Sequence, residues 1–278
     1  MLAAGLTIFL GAFLLFQVEP LLAKAVLPWF GGAPSVWTTC LVFFQVALLG
    51  GYLYAHALIR RLSPRVARRM HLGLVLLSLA ALVAPLAWGS LPLLPSAAWK
   101  PPDPANPIGR IVALLAAHVG LPFLLLSSTS PLLSAWIARA RAGSPVYRLY
   151  AASNLGSLLA LVTYPSLVER FLPLPSQALV WTAAFALFAL GSLFCLWRDR
   201  ATAERPAMES PAIDSAAQPE TGRLPHGFWF AASACGSILL LASTNQMCQE
   251  VAAIPFLWVL PLSLYLLSFV LTFESDRI

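Results

Sequence analysis

Residues 5–30 read GLTIFLGAFLLFQVEPLLAKAVLPWF, an unbroken apolar run carrying two charges, Glu19 and Lys24. A helix that spans a bilayer needs about 20 predominantly apolar residues, whereas a membrane strand needs only about ten that alternate. This run is long and does not alternate, so it predicts a membrane helix. Similar runs, broken by Pro, Gly and Arg clusters, predict further helices near 35–59, 71–94, 109–138, 147–168, 177–197, 227–245 and 254–273. The expected fold class is all-α, a polytopic transmembrane bundle of about eight helices.

Composition agrees. The 278 residues are 59% hydrophobic and 10% charged, with a mean hydropathy of +0.80, against roughly 45–50% and 25% in soluble domains. That excludes a cytosolic globular enzyme, a disordered chain and a nucleic-acid-binding module. The partner implied is the lipid bilayer, with no nucleic acid. Cys40, Cys195, Cys235 and Cys248 are scattered without a CxxC pair, which is the pattern of packing residues rather than of a disulfide framework or metal site. No nucleotide-binding, zinc-protease or hydrolase motif occurs, so neither cofactor nor metal nor catalytic group is expected.

Positive charge orients the chain. Arg60, Arg61, Arg65, Arg68 and Arg69 crowd the loop after the second helix. With this loop inside and the helices alternating, thirteen of the 17 Lys and Arg residues fall on the cytoplasmic side. Both termini are then cytoplasmic, at a bacterial inner membrane. Residues 1–198 form a six-helix unit, 199–225 a Pro-, Ser- and charge-rich linker, and 226–278 two further helices.

Two segments echo each other at one fixed offset. Pro20-Leu21-Leu22 matches Pro131-Leu132-Leu133, Gly32 matches Gly143 and Pro34 matches Pro145. The offset spans three helices and so reverses membrane direction. The echo therefore predicts a 3+3 inverted repeat of the kind found in major-facilitator-like transporters. Glu19 sits ten residues before Trp29, about 15 Å inside the membrane boundary, where a carboxylate is expensive. Pro20 beside it, and Pro131 after the polar run Ser127-Ser128-Thr129-Ser130, are expected to kink or break their helices around a site. The candidate solute- or ion-binding residues are Glu19, Lys24, Ser128, Ser130, Asn154, Asn245, Gln246 and Glu250. Lys24 reads as an anchor snorkelling beside Trp29, with pairing to Glu19 as the alternative. Gln45, His56, His118 and Asn154 read as donors or acceptors between helices. Ala152 to Ser157 offers a small-xxx-small packing surface. The cluster Thr244-Asn245-Gln246-Met247-Cys248-Gln249-Glu250 is either a solvated turn or a polar site.

Three stretches carry a family resemblance: Glu19-Pro20-Leu21-Leu22-Ala23-Lys24 with Leu27 through Cys40; Leu149-Tyr150-Ala151-Ala152-Ser153-Asn154-Leu155-Gly156-Ser157; and Thr244 through Glu250 with Pro255-Phe256-Leu257-Trp258-Val259-Leu260-Pro261. Together they resemble the membrane portion of bacterial fused major-facilitator/spermidine-synthase-like integral membrane proteins. The resemblance implies a helical membrane unit associated with polyamine-type chemistry, next to a soluble synthase-like domain of Rossmann-like fold. The residues up to Ile278 include none of that domain, so its aminopropyltransferase activity does not carry over. The expected function is a transporter-like membrane domain for a small cationic or polyamine-like solute. The alternatives are a membrane anchor for a cytosolic synthase-like domain, or a truncated remnant.

Overall fold

The computed structural model describes residues 1–30, 34–100, 107–140, 146–198, 226–250 and 259–274. Among these residues there are helices and no strands, in eight segments. The first three are α1 (Leu2–Phe30), α2 (Pro34–Arg61) and α3 (Pro64–Val83), the last prolonged by a 3₁₀ tail, Ala84–Trp88. In α4 the helix Pro107–Leu115 passes through a π-helical turn, Ala116–Gly120, into Leu121–Ala140. In α5 the helix Tyr147–Thr163 passes through a second π-helical turn, Tyr164–Val168, into Glu169–Phe171. Then follow α6 (Leu174–Arg198), α7 (His226–Glu250) and α8 (Val259–Glu274).

Local chemistry sets the ends. Pro34, Pro64 and Pro107 each occupy the first turn of a helix, where the missing N–H costs nothing. Arg60 and Arg61, Arg139 and Arg198 lie in last turns, facing the negative end of the helix dipole. Arg139 also donates from Nη2 to the Ile59 carbonyl at 3.4 Å, tying the end of α4 to the end of α2. Gly89 closes the α3 tail in the left-handed region at φ +68°, with its N–H directed to the Leu86 and Pro85 carbonyls.

Two expectations change here. The third helix was expected at 71–94 but starts at Pro64 and ends by Trp88, so Arg65, Arg68 and Arg69 lie on its first turns rather than in a loop. Pro64 is the reason, because a proline at the first helical position starts a helix rather than ending one. The breaks expected at Pro20 and Pro131 are absent as well. Both prolines lie inside continuous α-helix. Each removes a single backbone bond, and the buried neighbours Val18, Leu21, Leu22, Leu132 and Leu133 hold the flanking turns.

Six segments, Leu2–Phe30, Thr38–Arg61, Pro64–Trp88, Pro107–Arg139, Tyr147–Phe171 and Leu174–Arg198, are long and apolar enough to cross a membrane. The chain is a multi-pass membrane protein. Its core is built from α1, α2, α4 and α6, through Leu14, Val18, Leu22, Phe44, Phe123 and Phe185. Its outside is apolar too, with Leu2, Trp88, Leu187 and Phe230 all exposed. Helices apolar all round suit a solvent of lipid tails.

α1 is the hub. It runs parallel to α5: Gly5 meets Leu149, the Phe9 carbonyl and Phe13 meet Gly156, and Lys24 meets Glu169. It runs antiparallel to α6: Thr7 meets Cys195, Gly11 meets Phe188, and Leu14 meets Trp181. α2 runs parallel to α4 in turn, through Phe44 with Phe123, Gly51 with Leu124 and Ser127, and Ile59 with Arg139. α8 lies along α5 and also contacts α7.

The expected small-residue surface on α5 is where α1 comes closest, since any Cβ at Gly156 would collide with the Phe9 carbonyl. Gly156→Ala therefore lowers stability by about 1–3 kcal/mol, the cost of overpacking a tight contact. Gly73→Ala, on a helix position with open space around it, leaves stability unchanged or raises it by up to about 1 kcal/mol. Thermal melts of the two variants in detergent check the difference, and equal melts would contradict the packing.

Candidate functional site

Glu19 is half-buried on the hub helix, well inside both of its ends at Leu2 and Phe30. At about 1.5 Å per residue it lies about 25 Å from the first and about 17 Å from the second. Its carboxylate makes no hydrogen bond or ion pair with any described residue.

Its neighbours in sequence behave otherwise. Gln17 is buried and points across to α5, donating from Nε2 to the Ala160 carbonyl and to Thr163 Oγ1, both at 3.2 Å. Two residues along a helix turn through about 200°, so Gln17 and Glu19 face nearly opposite directions. Lys24 does not pair with Glu19. Its Nζ lies 3.1 Å from Glu169 Oε1 at the far end of α5, with both side chains partly exposed. Lys24 lies two turns past Gln17, so it returns to the face that meets α5.

The polar run on α4 turns inward on itself. Ser127 donates to the Leu124 carbonyl at 2.9 Å, and Ser128 and Thr129 to the Leu125 carbonyl at 3.0 and 2.6 Å. Ser127, Ser128 and Thr129 are buried, and Ser130 is half-buried. Asn154 likewise donates to the Tyr150 carbonyl at 3.0 Å, one turn back in its own helix. His118 bonds the Leu114 carbonyl at 2.8 Å in the same way. The bonds given for Asn154 and His118 thus run within their helices, not between them, because a carbonyl four residues back is always in reach. Gln45 and His56 are exposed. α7 continues to Glu250, so the Asn245-Gln246-Glu250 cluster is helical rather than a turn. Gln246 is exposed, and the side chains of Asn245 and Glu250 lie outside the described residues, as do Gly32, Gly143 and Pro145 of the echo.

The bonds that cross between helices involve residues with weaker signals in the sequence. Trp181 donates from Nε1 to the Leu14 carbonyl at 2.9 Å, joining α6 to α1. Tyr164 donates from Oη to Gln177 Oε1 at 3.3 Å, and Gln177 passes its own amide to the Leu172 carbonyl at 2.7 Å. With Gln17 and Thr163 these groups form a polar seam along α1, α5 and α6, beside the π-helical turn of α5. Among the described residues there is no cluster of His, Cys, Asp or Glu that could hold a metal ion.

The seam is structural by this geometry. Gln17→Leu costs about 1 kcal/mol, typical of a lost interhelical hydrogen bond in a membrane protein. Lys24→Gln costs less, because an exposed ion pair contributes only about 0–1 kcal/mol. Denaturant titrations in mixed micelles rank the two, and the reverse order would contradict the assignment. No family model, curated protein or solved structure matches the chain, so the functional reading rests on the sequence and this geometry.

Proposed function

We propose that the chain is a transporter-like membrane unit for a small cationic solute, with Glu19 as its countercharge. The observation that carries the reading is the isolated carboxylate itself. Every other acidic or cationic side chain that the six membrane-crossing helices hold lies near a helix end, and Lys24 is already paired with Glu169. An ionisable group at membrane depth costs several kcal/mol or more unless it meets a partner or water, so such groups mark solute and ion paths. An ammonium-bearing solute supplies the missing partner.

The helix arrangement supports the same reading. Exchanging α1–α3 with α4–α6 maps the parallel pair α1–α5 onto α4–α2, the two parallel contacts described above. A pairing of this kind is what a 3+3 inverted repeat would produce, with its site between the repeats at mid-membrane. With Pro20 and Pro131 inside continuous helices, the proposed site relies on side chains rather than on unwound backbone. The resemblance to the membrane portion of spermidine-synthase-like fused proteins adds the polyamine class to the candidate solutes, and the arginine-rich ends of α2 and α3 face the cytoplasm of a bacterial inner membrane in this reading.

Glu19→Gln keeps the shape and removes the charge. In proteoliposomes loaded against labelled putrescine or spermidine, this variant loses uptake by at least about tenfold while its melting temperature stays within a few degrees of the parent. Unchanged uptake would remove Glu19 from the path, and no uptake by the parent would favour the anchoring alternative.

A further inference from the structure

A cavity of about 480 Å³ opens where the last turns of α3, the segment 89–99 and the π-helical turn of α4 meet. Its size is that of a small-molecule site. Glu19 and the seam around Gln17 are not among its lining residues. Ser78 lies ten residues before Trp88 and His118 eleven after Pro107, so the cavity reaches about 15 Å in from the helix ends.

We propose that this cavity binds a neutral amphiphile, a molecule with an apolar body and one hydroxyl or amide N–H donor. Most of the wall is apolar, including Leu82, Trp99 and Pro122. His118 supplies the directional group. Its Nδ1 lies 2.8 Å from the Leu114 carbonyl, and a carbonyl only accepts, so the ring proton is on Nδ1. In the neutral ring Nε2 is then a hydrogen-bond acceptor. Trp99 meets the same ring edge-on, with centroids 5.2 Å apart and planes at 77°, which fixes its plane. Ser78 is wholly buried on the α3 wall, and its hydroxyl has no partner among the described residues.

None of the described lining residues is charged. That separates the cavity from the cationic path proposed above. An ammonium here would find no countercharge, whereas an alcohol or amide would satisfy Nε2 and leave its hydrocarbon on Leu82 and Pro122. The backbone adds a further mark. Leu93 lines the cavity with φ +66°, in the left-handed region, while its side chain is buried. A leucine held there is strained, and such strain gathers at ligand clamps. The π-helical turn that carries His118 is the other local irregularity that gathers at functional sites.

Photolabelling of the whole chain in nanodiscs with a diazirine-bearing 1-octanol tests the proposal. Saturable labelling within 78–99 and 117–122, displaced by unlabelled 1-octanol, is expected. His118→Phe lowers it about three- to tenfold, the value of one neutral hydrogen bond, and His118→Gln, which keeps an acceptor, restores it. Ala81→Phe fills the cavity from an exposed wall position and abolishes labelling even where the histidine variants fail to fold. Including diacylglycerol in the nanodisc distinguishes sources: displacement assigns the site to a hydroxyl-bearing lipid, and persistence assigns it to a water-borne molecule. Equal saturable labelling by the matching diazirine octane, labelling spread over lipid-facing helices, or indifference to both His118→Phe and Ala81→Phe would overturn it.

Discussion

Lipid offers no hydrogen bonds to a backbone, and the rest of the structure follows from that constraint. Each N–H and C=O at membrane depth must be satisfied inside its own segment, which leaves helix as the form these runs adopt. Once formed, the helices gain little by hiding apolar surface from lipid, because the tails are as apolar as leucine. Their association then depends on how closely backbones approach. Gly156 against Phe9 and Phe13, and Gly51 against Leu124, are places where this bundle obtains that approach, while Gly11 makes room for the Phe188 ring. The bulk of Phe185 and Phe188 fills what remains between α1 and α6.

The same constraint sorts the polar side chains. Ser127, Ser128, Thr129, Asn154 and His118 donate to carbonyls of their own helices, which lets them sit in an apolar bundle without specifying a partner. Gln17 and Trp181 reach across and so fix how α5 and α6 are set against α1. Glu19 belongs to neither group. A carboxylate cannot donate to a carbonyl when ionised, so the usual local solution is closed to its charged form, and among the described residues it has no partner.

Much of the fold was legible in the sequence because span length is a local property. The run 5–30 became Leu2–Phe30, and 177–197 became Leu174–Arg198. The close surface around Gly156 was legible too, since small residues four apart have few other uses in lipid. The start of α3 was misplaced because five arginines resembled a loop, although Pro64 marked a first turn. The site was less legible. Lys24 finds its partner in Glu169, four helices further along the chain, and no periodicity connects them. The π-helical turns at Ala116–Gly120 and Tyr164–Val168 depend on how neighbouring turns settle around Pro122 and Pro165. The cavity owes its walls to a connecting segment whose sequence, rich in Pro and Leu, carries no regular pattern.

The central place of α1 has a consequence for the order of events during synthesis. Its tightest neighbours are made last among the first six helices: the glycine it packs against is residue 156, and the tryptophan that binds its backbone is residue 181. At roughly 5–20 residues per second, about 10–30 seconds pass between the emergence of Leu14 and that of Trp181. Throughout that interval Thr7, Gln17 and Glu19 are in the membrane without their final surroundings. Among the six, the helix made earliest thus completes its contacts only when the sixth is made. A factor that shields polar membrane helices would act on this chain at its beginning, well before the bundle closes around it.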